Sequence, residues 1–139
     1  SFSYLDAHYK KFVLPGGVDR SGIAMPYSPK YKASGSIAYT TAVQGLGDTT
    51  VRLSYAYSST FRFNDPEQPG NIMGGYGLLN FDASIKEVAG TPLDLDFYVT
   101  NVTNKLVVQQ RTPYWTSFGL VSAFYNEPRM FGFRARYNF

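Results

Sequence analysis

The chain has 139 residues, enough for one domain or for part of one, and its formal net charge of +3 comes from 13 basic and 10 acidic side chains. This small excess, with basic residues scattered rather than clustered, argues against a nucleic-acid partner. Cysteine is absent, which excludes disulfide bonds and thiolate metal sites, and no run of about 18 apolar residues is present to form a transmembrane helix.

The first half of the chain is predicted to contain three strand-like runs, because apolar residues alternate with polar ones between clusters of Gly, Pro, Asn and Asp. In chain order these are a run at 2–12, a proline-rich loop at 13–29, a run at 30–43, a tight turn at 45–48 and a run at 50–63. The apolar set of the third run is Val51, Leu53, Tyr55, Tyr57, Phe61 and Phe63.

The second half is predicted to contain three more alternating strands. In chain order it has a loop at 64–75, a strand at 76–88, a turn at 89–92, a strand at 93–102, an aromatic-rich loop at 103–128 and a strand at 129–139. On the last strand, one face carries Phe131, Phe133, Ala135, Tyr137 and Phe139, and the other carries Arg134, Arg136 and Asn138. The final strand therefore has one fully apolar face.

The aromatic content points to what the apolar faces contact. Aromatic residues make up 17% of the chain, as 12 Tyr, 11 Phe and 1 Trp. Charged residues also make up only 17%, below the roughly 25% of an average soluble domain. This composition favours an interface with lipid, although a tyrosine-rich β-sandwich also fits.

The connections alternate between long and short, and the strands have ten or more residues. Transmembrane barrels combine short periplasmic turns with long extracellular loops, and strands of about 9–11 residues cross a bilayer when tilted. The predicted fold class is therefore all-β, an antiparallel transmembrane β-barrel segment of about six long strands. We expect the following side chains to point outward from a curved sheet: Leu79, Phe81, Leu95, Phe97, Phe131 and Phe133.

Six strands are too few to close a barrel, since single-chain barrels begin at eight. An open sheet would leave two unpaired edges, which lipid does not tolerate, so the chain is expected to be part of something larger. On the polar face, we expect Lys86 to lie opposite Asp94 and Asp96 to lie near Arg136. Together these four charges are predicted to form a network in the lumen, near the periplasm.

Three motifs near the C-terminal end give the chain a family resemblance: NVTNK at 101–105, NEPRMFG at 126–132 and ARYNF at 135–139. In this order and spacing they resemble the C-terminal end of a TonB-dependent outer-membrane receptor. The resemblance implies a barrel of about twenty-two strands with a plugged lumen. Residues 1–139 are then expected to be the C-terminal segment of such a barrel, without its plug domain and remaining strands.

The resemblance also implies a function and partners. Such receptors import ferric siderophores, haem, vitamins or oligosaccharides across the outer membrane of Gram-negative bacteria, with TonB-derived energy. The expected partners are outer-membrane lipid, the rest of the barrel, its plug domain, and the TonB system through regions absent from this chain. Tyr137 and Phe139 resemble the terminal signal that the barrel assembly machinery reads.

Tyr114 and Trp115 are the candidate ligand-binding residues. Aromatic rings in an outer loop stack on sugar rings or aromatic chelators, and they also form the belt that membrane proteins carry at headgroup level. The sequence leaves both interpretations open. Ligand specificity is expected to reside in the three long connections, 13–29, 64–75 and 103–128, because the short turns lie on the opposite side.

The sequence offers little support for a catalytic site or a metal site. Asp94 and Asp96 share a strand face about 6.5–7 Å apart, which suits a glycosidase pair, but two lumen carboxylates paired with bases are expected instead. His8 has no partner at metal-ligand spacing, and the glycosylation sequon at Asn101 is expected to be coincidental. No set of nucleophile, base and orienting residue is recognisable. The chain is therefore predicted to be neither an enzyme nor a cofactor-binding protein.

Two other function classes stay open. A soluble β-sandwich or lipocalin-like small-molecule-binding module would use the apolar face as an internal core. An enzymatic outer-membrane barrel would require a catalytic set. The long strands, the alternation of long and short connections and the terminal phenylalanine favour the receptor.

Overall fold

The computed structural model describes residues 1–63 and 70–139, without the side chains of Pro113, Trp115 and Thr116. The strands are β1 (Phe2–Tyr4), β2 (Tyr31–Val43), β3 (Gly47–Ser58), β4 (Phe61–Arg62), β5 (Ile72–Met73), β6 (Tyr76–Lys86), β7 (Leu93–Thr100), β8 (Val108–Tyr114), β9 (Leu120–Tyr125) and β10 (Met130–Tyr137). Two short helical turns, a 3-10 turn at Val88–Gly90 and α1 at Trp115–Phe118, complete the fold. Nowhere in the described ranges is a helix long and apolar enough to cross a membrane.

Six of the strands form one antiparallel sheet, in the order β1-β2-β3-β6-β7-β10. The pairs β4–β5 and β8–β9 form two separate two-stranded sheets. The predicted antiparallel, all-β fold class with about six strands is therefore confirmed, although β1 has only three residues.

The chain divides into two compact units. The loop unit comprises Ser1–Ala33, Tyr57–Tyr76 and Val107–Asn126, and the sheet unit comprises Ser34–Ala56, Gly77–Leu106 and Glu127–Phe139. The small sheets β4–β5 and β8–β9 belong to the loop unit, whereas β7 and β10 lie wholly in the sheet unit.

The sequence pattern overestimates the length of the first strand, which ends at Tyr4 rather than continuing to residue 12. Beyond it, the chain makes only isolated bridges, between His8 and Ala24 and between Val13 and Asp19. Residues 5–12 otherwise have no strand assignment. The predicted run at 2–12 is therefore mostly irregular backbone.

The third predicted run breaks at Ser59 and Thr60, for a reason that lies in their side chains. The amide of Tyr31 donates to Ser59 Oγ at 3.0 Å, and the amide of Gly75 donates to Thr60 Oγ1 at 3.1 Å. Side-chain oxygens thus replace carbonyls as acceptors and interrupt the ladder. The strand β4 that follows pairs with β5 instead.

The two short turns are confirmed. Residues 44–46 connect β2 to β3, and residues 87–92 connect β6 to β7. The amide of Ala89 donates to the carbonyl of Leu46 at 3.0 Å, which joins the two turns at one end of the sheet unit. A Cβ at Gly47, where φ is +120°, would collide with the Lys86 carbonyl, so this position requires glycine.

The prediction that residues 103–128 form a loop is wrong, because most of this segment forms the hairpin β8–β9. The loop predicted at 64–75 lies partly outside the described residues, and its described end contributes β5. The long connections thus have regular structure of their own in the loop unit.

In the sheet unit, strand register places all predicted outward residues on one face. Phe81 pairs with Val99, and Phe133 pairs with Phe97. Directly paired residues of adjacent strands point to the same side of a sheet. We call this side the apolar face; its paired members are Phe81, Ala83, Ile85, Leu93, Leu95, Phe97, Val99, Phe131, Phe133, Ala135 and Tyr137.

The apolar face is exposed rather than packed into a core. Phe131 is 77% exposed and Phe133 65%, and none of the six residues predicted to point outward is buried. Among the described residues, the buried apolar side chains are Phe63 and Val107, both in the loop unit. The outward orientation is therefore confirmed, and the apolar surface of this sheet faces its surroundings.

Two glycines in the strands allow tyrosine rings to lie flat on the sheet. The ring of Tyr98 lies over Gly132, its direct cross-strand partner, and the ring of Tyr55 lies over Gly77. A Cβ at either glycine would overlap the tyrosine ring. The glycines therefore fix tyrosine packing on both sides of the sheet, Tyr55 on the apolar face and Tyr98 on the opposite side.

Candidate functional site

The side of the sheet unit opposite the apolar face, which we call the polar face, carries a hollow of about 400 Å³. Its charged lining consists of Arg52, Asp82, Asp96 and Arg134. Asp82 lies opposite Tyr98 on the neighbouring strand, and Asp96 lies opposite Arg134. Two bases and two acids balance, so this surface is polar but carries no net charge.

The predicted charge network is correct in one placement and wrong in the other. The pairing of Ile85 with Leu95 sets Lys86 opposite Asp94, as predicted. Arg136 lies opposite Asp94, and Arg134 rather than Arg136 lies opposite Asp96. The amide of Asn138 donates to the Pro92 carbonyl at 2.9 Å, which fixes this register two residues from the predicted one. The predicted placement of these charges on one face is nevertheless correct.

The carboxylate of Asp94 is used at the end of the sheet rather than in an ion pair. It accepts hydrogen bonds from the Glu87 amide at 3.1 Å and from the Asn138 side-chain amide at 3.4 Å. Within the described ranges, neither Lys86 nor Arg136 forms an ion pair with Asp94. Asp94 is therefore not paired with a base, contrary to the expectation. It instead joins the turn at 87–92 to Asn138, near the end of the chain.

A buried asparagine joins two of the motifs that carry the family resemblance. Asn101 is 5% exposed and has a φ of 49°, in the left-handed region. Its Nδ2 donates to the carbonyls of Lys105 and Glu127, at 3.0 and 3.1 Å, and its Oδ1 accepts from the Lys105 amide at 2.9 Å. The motifs at 101–105 and 126–132 thus meet at one side chain.

Neighbouring asparagines extend this arrangement. Asn80 Oδ1 accepts from the Asn101 amide at 2.9 Å, and Asn104 Oδ1 accepts from the Arg129 amide at 2.9 Å. We call Asn80, Asn101 and Asn104 the asparagine junction. The sequence analysis missed it, although one signal was present, because Asn is the non-glycine residue that most readily adopts positive φ.

The asparagine junction also decides the question of the glycosylation sequon. Both hydrogens of the Asn101 side-chain amide point to backbone carbonyls within the fold. In the folded chain that nitrogen is therefore engaged in two hydrogen bonds; that the sequon is coincidental stays a prediction.

Aromatic residues contact one another at several places in the loop unit, and two of these groups lie near the β8–β9 hairpin. Tyr27, Phe61 and Phe63 contact one another with ring centroids 5.2–6.0 Å apart, and the Arg111 guanidinium lies 5.7 Å from the centre of the Phe63 ring. This cation–π contact lies above the buried Phe63. It joins the β8–β9 hairpin to β4 within the loop unit.

The second aromatic group contains a predicted ligand-binding residue. Tyr114 is 48% exposed at the end of β8, and its ring centroid lies 6.4 Å from that of Phe118. The side chain of Trp115 lies outside the described residues. Tyr114 therefore lies at an open tip, where its ring is accessible.

The predicted assembly residues lie at the end of the sheet unit that carries the two short turns. The rings of Tyr137 and Phe139 contact edge to face at 5.2 Å, and Phe139 is fully exposed. Asn138 between them holds the backbone to Pro92. The two terminal aromatics are thus presented together on an anchored backbone.

Other titratable residues do not assemble into a catalytic or metal site. In the part of the chain that the structure describes, no group of three or more His, Cys, Asp or Glu residues is placed to hold a metal ion. His8 Nδ1 lies 3.1 Å from Asp6 Oδ1 in the loop unit. The same carboxylate oxygen lies 3.8 Å from Lys30 Nζ, so among the described residues this pair contacts a second base rather than a nucleophile.

A solved structure shares the fold of this chain. A scan against protein-family models finds no match, and a search of curated proteins finds none either. The crystal structure of the ferric yersiniabactin uptake receptor FyuA from Yersinia pestis is similar to this chain, with a TM-score of 0.74 and 19% sequence identity. The alignment covers 87% of this chain and 18% of that receptor, so the chain spans less than a fifth of its length.

At this identity the likeness shows the fold alone. FyuA is a TonB-dependent receptor, and the chain has the fold of part of such a receptor's β-barrel. The family resemblance noted in the sequence is confirmed at that level.

Proposed function

We propose that residues 1–139 form the C-terminal part of the barrel of an outer-membrane receptor that imports a scarce nutrient with TonB-derived energy. The observation that carries this proposal is the exposed apolar face of the long-stranded sheet, with charged residues on the reverse side. A contiguous exposed apolar surface of this kind marks an interaction with lipid or with another protein. On long antiparallel strands of a barrel fold, lipid is the fitting partner.

The soluble β-sandwich and the lipocalin-like module are less well supported. Both bury the apolar face of their strands in an internal core. Here Phe97, Phe131 and Phe133 are exposed, and no second layer covers them among the described residues. The receptor remains the better interpretation.

The edges of the sheet support the proposal that further strands complete the barrel. Strand β10 is the last in the sheet order, and β1 covers only residues 31–33 of β2. The remaining edges present unpaired amide and carbonyl groups, which are costly in lipid. We assign the pairing of these edges to other strands of the same barrel, and the charged polar face to the lumen, where the plug domain lies.

For the nutrient, the proposal covers ferric siderophores, haem, vitamins and oligosaccharides. FyuA takes up ferric yersiniabactin, and this likeness makes ferric siderophores the first class to test. The corresponding experiment compares uptake of labelled ferric siderophores by strains with and without the full-length protein, each with TonB active or inactivated. We expect uptake only when both are present; uptake that persists without TonB would contradict the energy coupling.

We predict that Tyr114 and Trp115 contribute to ligand recognition. Replacing both by Ala is expected to weaken ligand binding, because it removes ring surface worth about 0.5–1.5 kcal/mol per stacked aromatic. Leu95→Ala, on the apolar face, is the control and should leave affinity unchanged. Binding is measured on purified, folded full-length protein in detergent. Unchanged affinity in the double variant would place recognition elsewhere.

We also predict that Phe139 is required for efficient assembly. Deleting Phe139 should lower the amount of folded protein in the outer membrane severalfold without lowering synthesis, because the exposed terminal ring is the group that assembly machinery can contact. Phe131→Ala is the control, since it removes another exposed ring on the same side of the chain, within β10. The measurement is quantitative blotting of heat-modifiable protein in outer-membrane fractions. Equal losses in both variants would mean that Phe139 only contributes apolar surface.

A further inference from the structure

A second hollow, of about 290 Å³, lies entirely within the loop unit. Three segments enclose it: residues 5–8, residues 24–30 and the β4–β5 pair with Thr60. We call it the basic hollow, defined by Asp6, His8, Lys30, Phe61, Arg62 and Ile72. Its size suits one ring-sized chemical group rather than a whole large ligand.

The charges of the basic hollow do not balance. Asp6 Oδ1 lies 3.1 Å from His8 Nδ1 and 3.8 Å from Lys30 Nζ, so one carboxylate is shared between two bases. Arg62 adds a second permanent positive charge to the lining. Among the described lining residues, two cations against one carboxylate leave a net positive charge even when His8 is neutral. A site with this charge attracts an anion.

The uncharged part of the lining supplies a hydrogen-bond donor and an apolar wall. Thr60 Oγ1 accepts the Gly75 amide at 3.1 Å, which leaves its own hydroxyl hydrogen free to be donated into the hollow. Phe61 and Ile72 give apolar surface beside it, and Ile72 is 55% exposed. The combination suits a molecule with an acidic group and an apolar body.

Backbone hydrogen bonds hold the three segments in place. The Leu5 amide donates to the Lys30 carbonyl at 2.9 Å, and the Met25 amide donates to the Ala7 carbonyl at 3.0 Å. The Tyr27 amide donates to the Arg62 carbonyl at 2.8 Å, which joins the second segment to β4. The cations are therefore carried by a connected backbone, and preorganisation of this kind lowers the entropic cost of binding.

We infer that the basic hollow binds the acidic group of a small organic anion through Lys30, Arg62 and Thr60, with the apolar body of the anion against Phe61 and Ile72. Binding at this site follows from the geometry of the loop unit alone. The inference rests on the proposed function only in making the anion part of an imported ligand. Direct binding measurements therefore test it separately from uptake.

The test compares benzoate with benzamide, a neutral molecule of nearly the same shape, on the full-length protein folded in detergent. Affinities are taken from ligand-observed NMR titrations, with protein-free micelles subtracted. We expect benzoate to bind about tenfold more tightly than benzamide, since only benzoate makes charge-assisted hydrogen bonds. Equal affinity for the two probes would overturn the inference.

Variants locate the binding. Lys30→Met combined with Arg62→Met should weaken benzoate binding about tenfold or more and leave benzamide binding unchanged. Lys32→Met is the control for the Lys30 change, because it removes one positive charge two residues away on β2, outside the hollow. Loss of benzoate binding to the same extent in the control would contradict a specific site.

A variant that is expected to strengthen benzoate binding keeps the test decisive if the double variant does not fold. Asp6→Asn removes the negative charge of the hollow and should strengthen benzoate binding about threefold, because a nearby like charge disfavours an anion. Lys30→Met alone should weaken it. If Asp6→Asn weakens benzoate binding instead, the basic hollow is not an anion site.

Discussion

Replacing Asn101 with Ala is expected to lower the free energy of unfolding by about 3–5 kcal/mol, among the largest effects that a single substitution produces. The change removes three side-chain hydrogen bonds around a nearly buried group, to Lys105 and Glu127. The Lys105 and Glu127 backbone groups that lose a partner are partly buried, and each such loss costs about 1 kcal/mol. Alanine in the left-handed conformation adds about 1–2 kcal/mol.

Two further substitutions separate these contributions. Asn101→Gly loses the same hydrogen bonds but adopts a φ of 49° without strain, so it should be about 1 kcal/mol less destabilising than Asn101→Ala. Asn104→Ala is the control: Asn104 also has positive φ, but it is exposed and its side chain makes one hydrogen bond, to the Arg129 amide. It should cost about 1–2 kcal/mol.

The measurement is urea-induced unfolding of the full-length protein in detergent, with hydrogen exchange of the Lys105 amide as a local readout. Asn101→Ala should accelerate that exchange more than Asn104→Ala does, because Asn101 Oδ1 is the acceptor for this amide. If Asn101→Ala unfolds within about 0.5 kcal/mol of the unchanged protein, the range of an ordinary surface substitution, the asparagine junction does not stabilise the fold as described.

The faces of the sheet were predictable, whereas its register was not. Period-two alternation assigns each residue to one side, and a one-residue shift would move Phe133 from the apolar face to the polar face. A two-residue shift changes no face. That is why the pattern placed Asp96 and Arg136 on the correct side but paired Asp96 with the wrong arginine, since the structure pairs it with Arg134. Register here depends on the hydrogen bond from Asn138 to Pro92.

The hairpin β8–β9 and the asparagine junction were not predictable by the same means. Strand β8 reads VQQRTPY, with two adjacent glutamines and a proline in place of alternation, so a period-two search finds no strand. The asparagine junction joins Asn101 to Glu127, 26 residues apart in sequence. Hydrogen bonds between a side chain and distant backbone leave no periodic trace. The candidate site in the basic hollow also depends on segments that only the fold brings together.

Placing Arg at position 53 or at position 54 should have very different effects, although the two residues are adjacent. Both lie at the middle of β3, so they share the same depth. Leu53 belongs to the apolar set of this strand and is 42% exposed, whereas Ser54 lies in the opposite phase and is half-buried. We expect Leu53→Arg to lower the free energy of unfolding by about 2–4 kcal/mol, the cost of a cation on the lipid face near the bilayer midplane. If the polar face lines the lumen as proposed, Ser54→Arg should change the free energy of unfolding by only about 0.5 kcal/mol, as at an ordinary polar surface position.

Burial in a protein core does not account for the expected difference in unfolding free energy between the two variants. Leu53 is 42% exposed within the described chain and is therefore not a core residue, so in a water-soluble sheet an arginine there would have a small effect. A large penalty at position 53 therefore has to come from the medium that the apolar face contacts. Unfolding of the full-length protein in phospholipid vesicles, followed by urea titration, measures both variants under one condition. Similar unfolding free energies for the two variants would show that the apolar face does not lie against lipid.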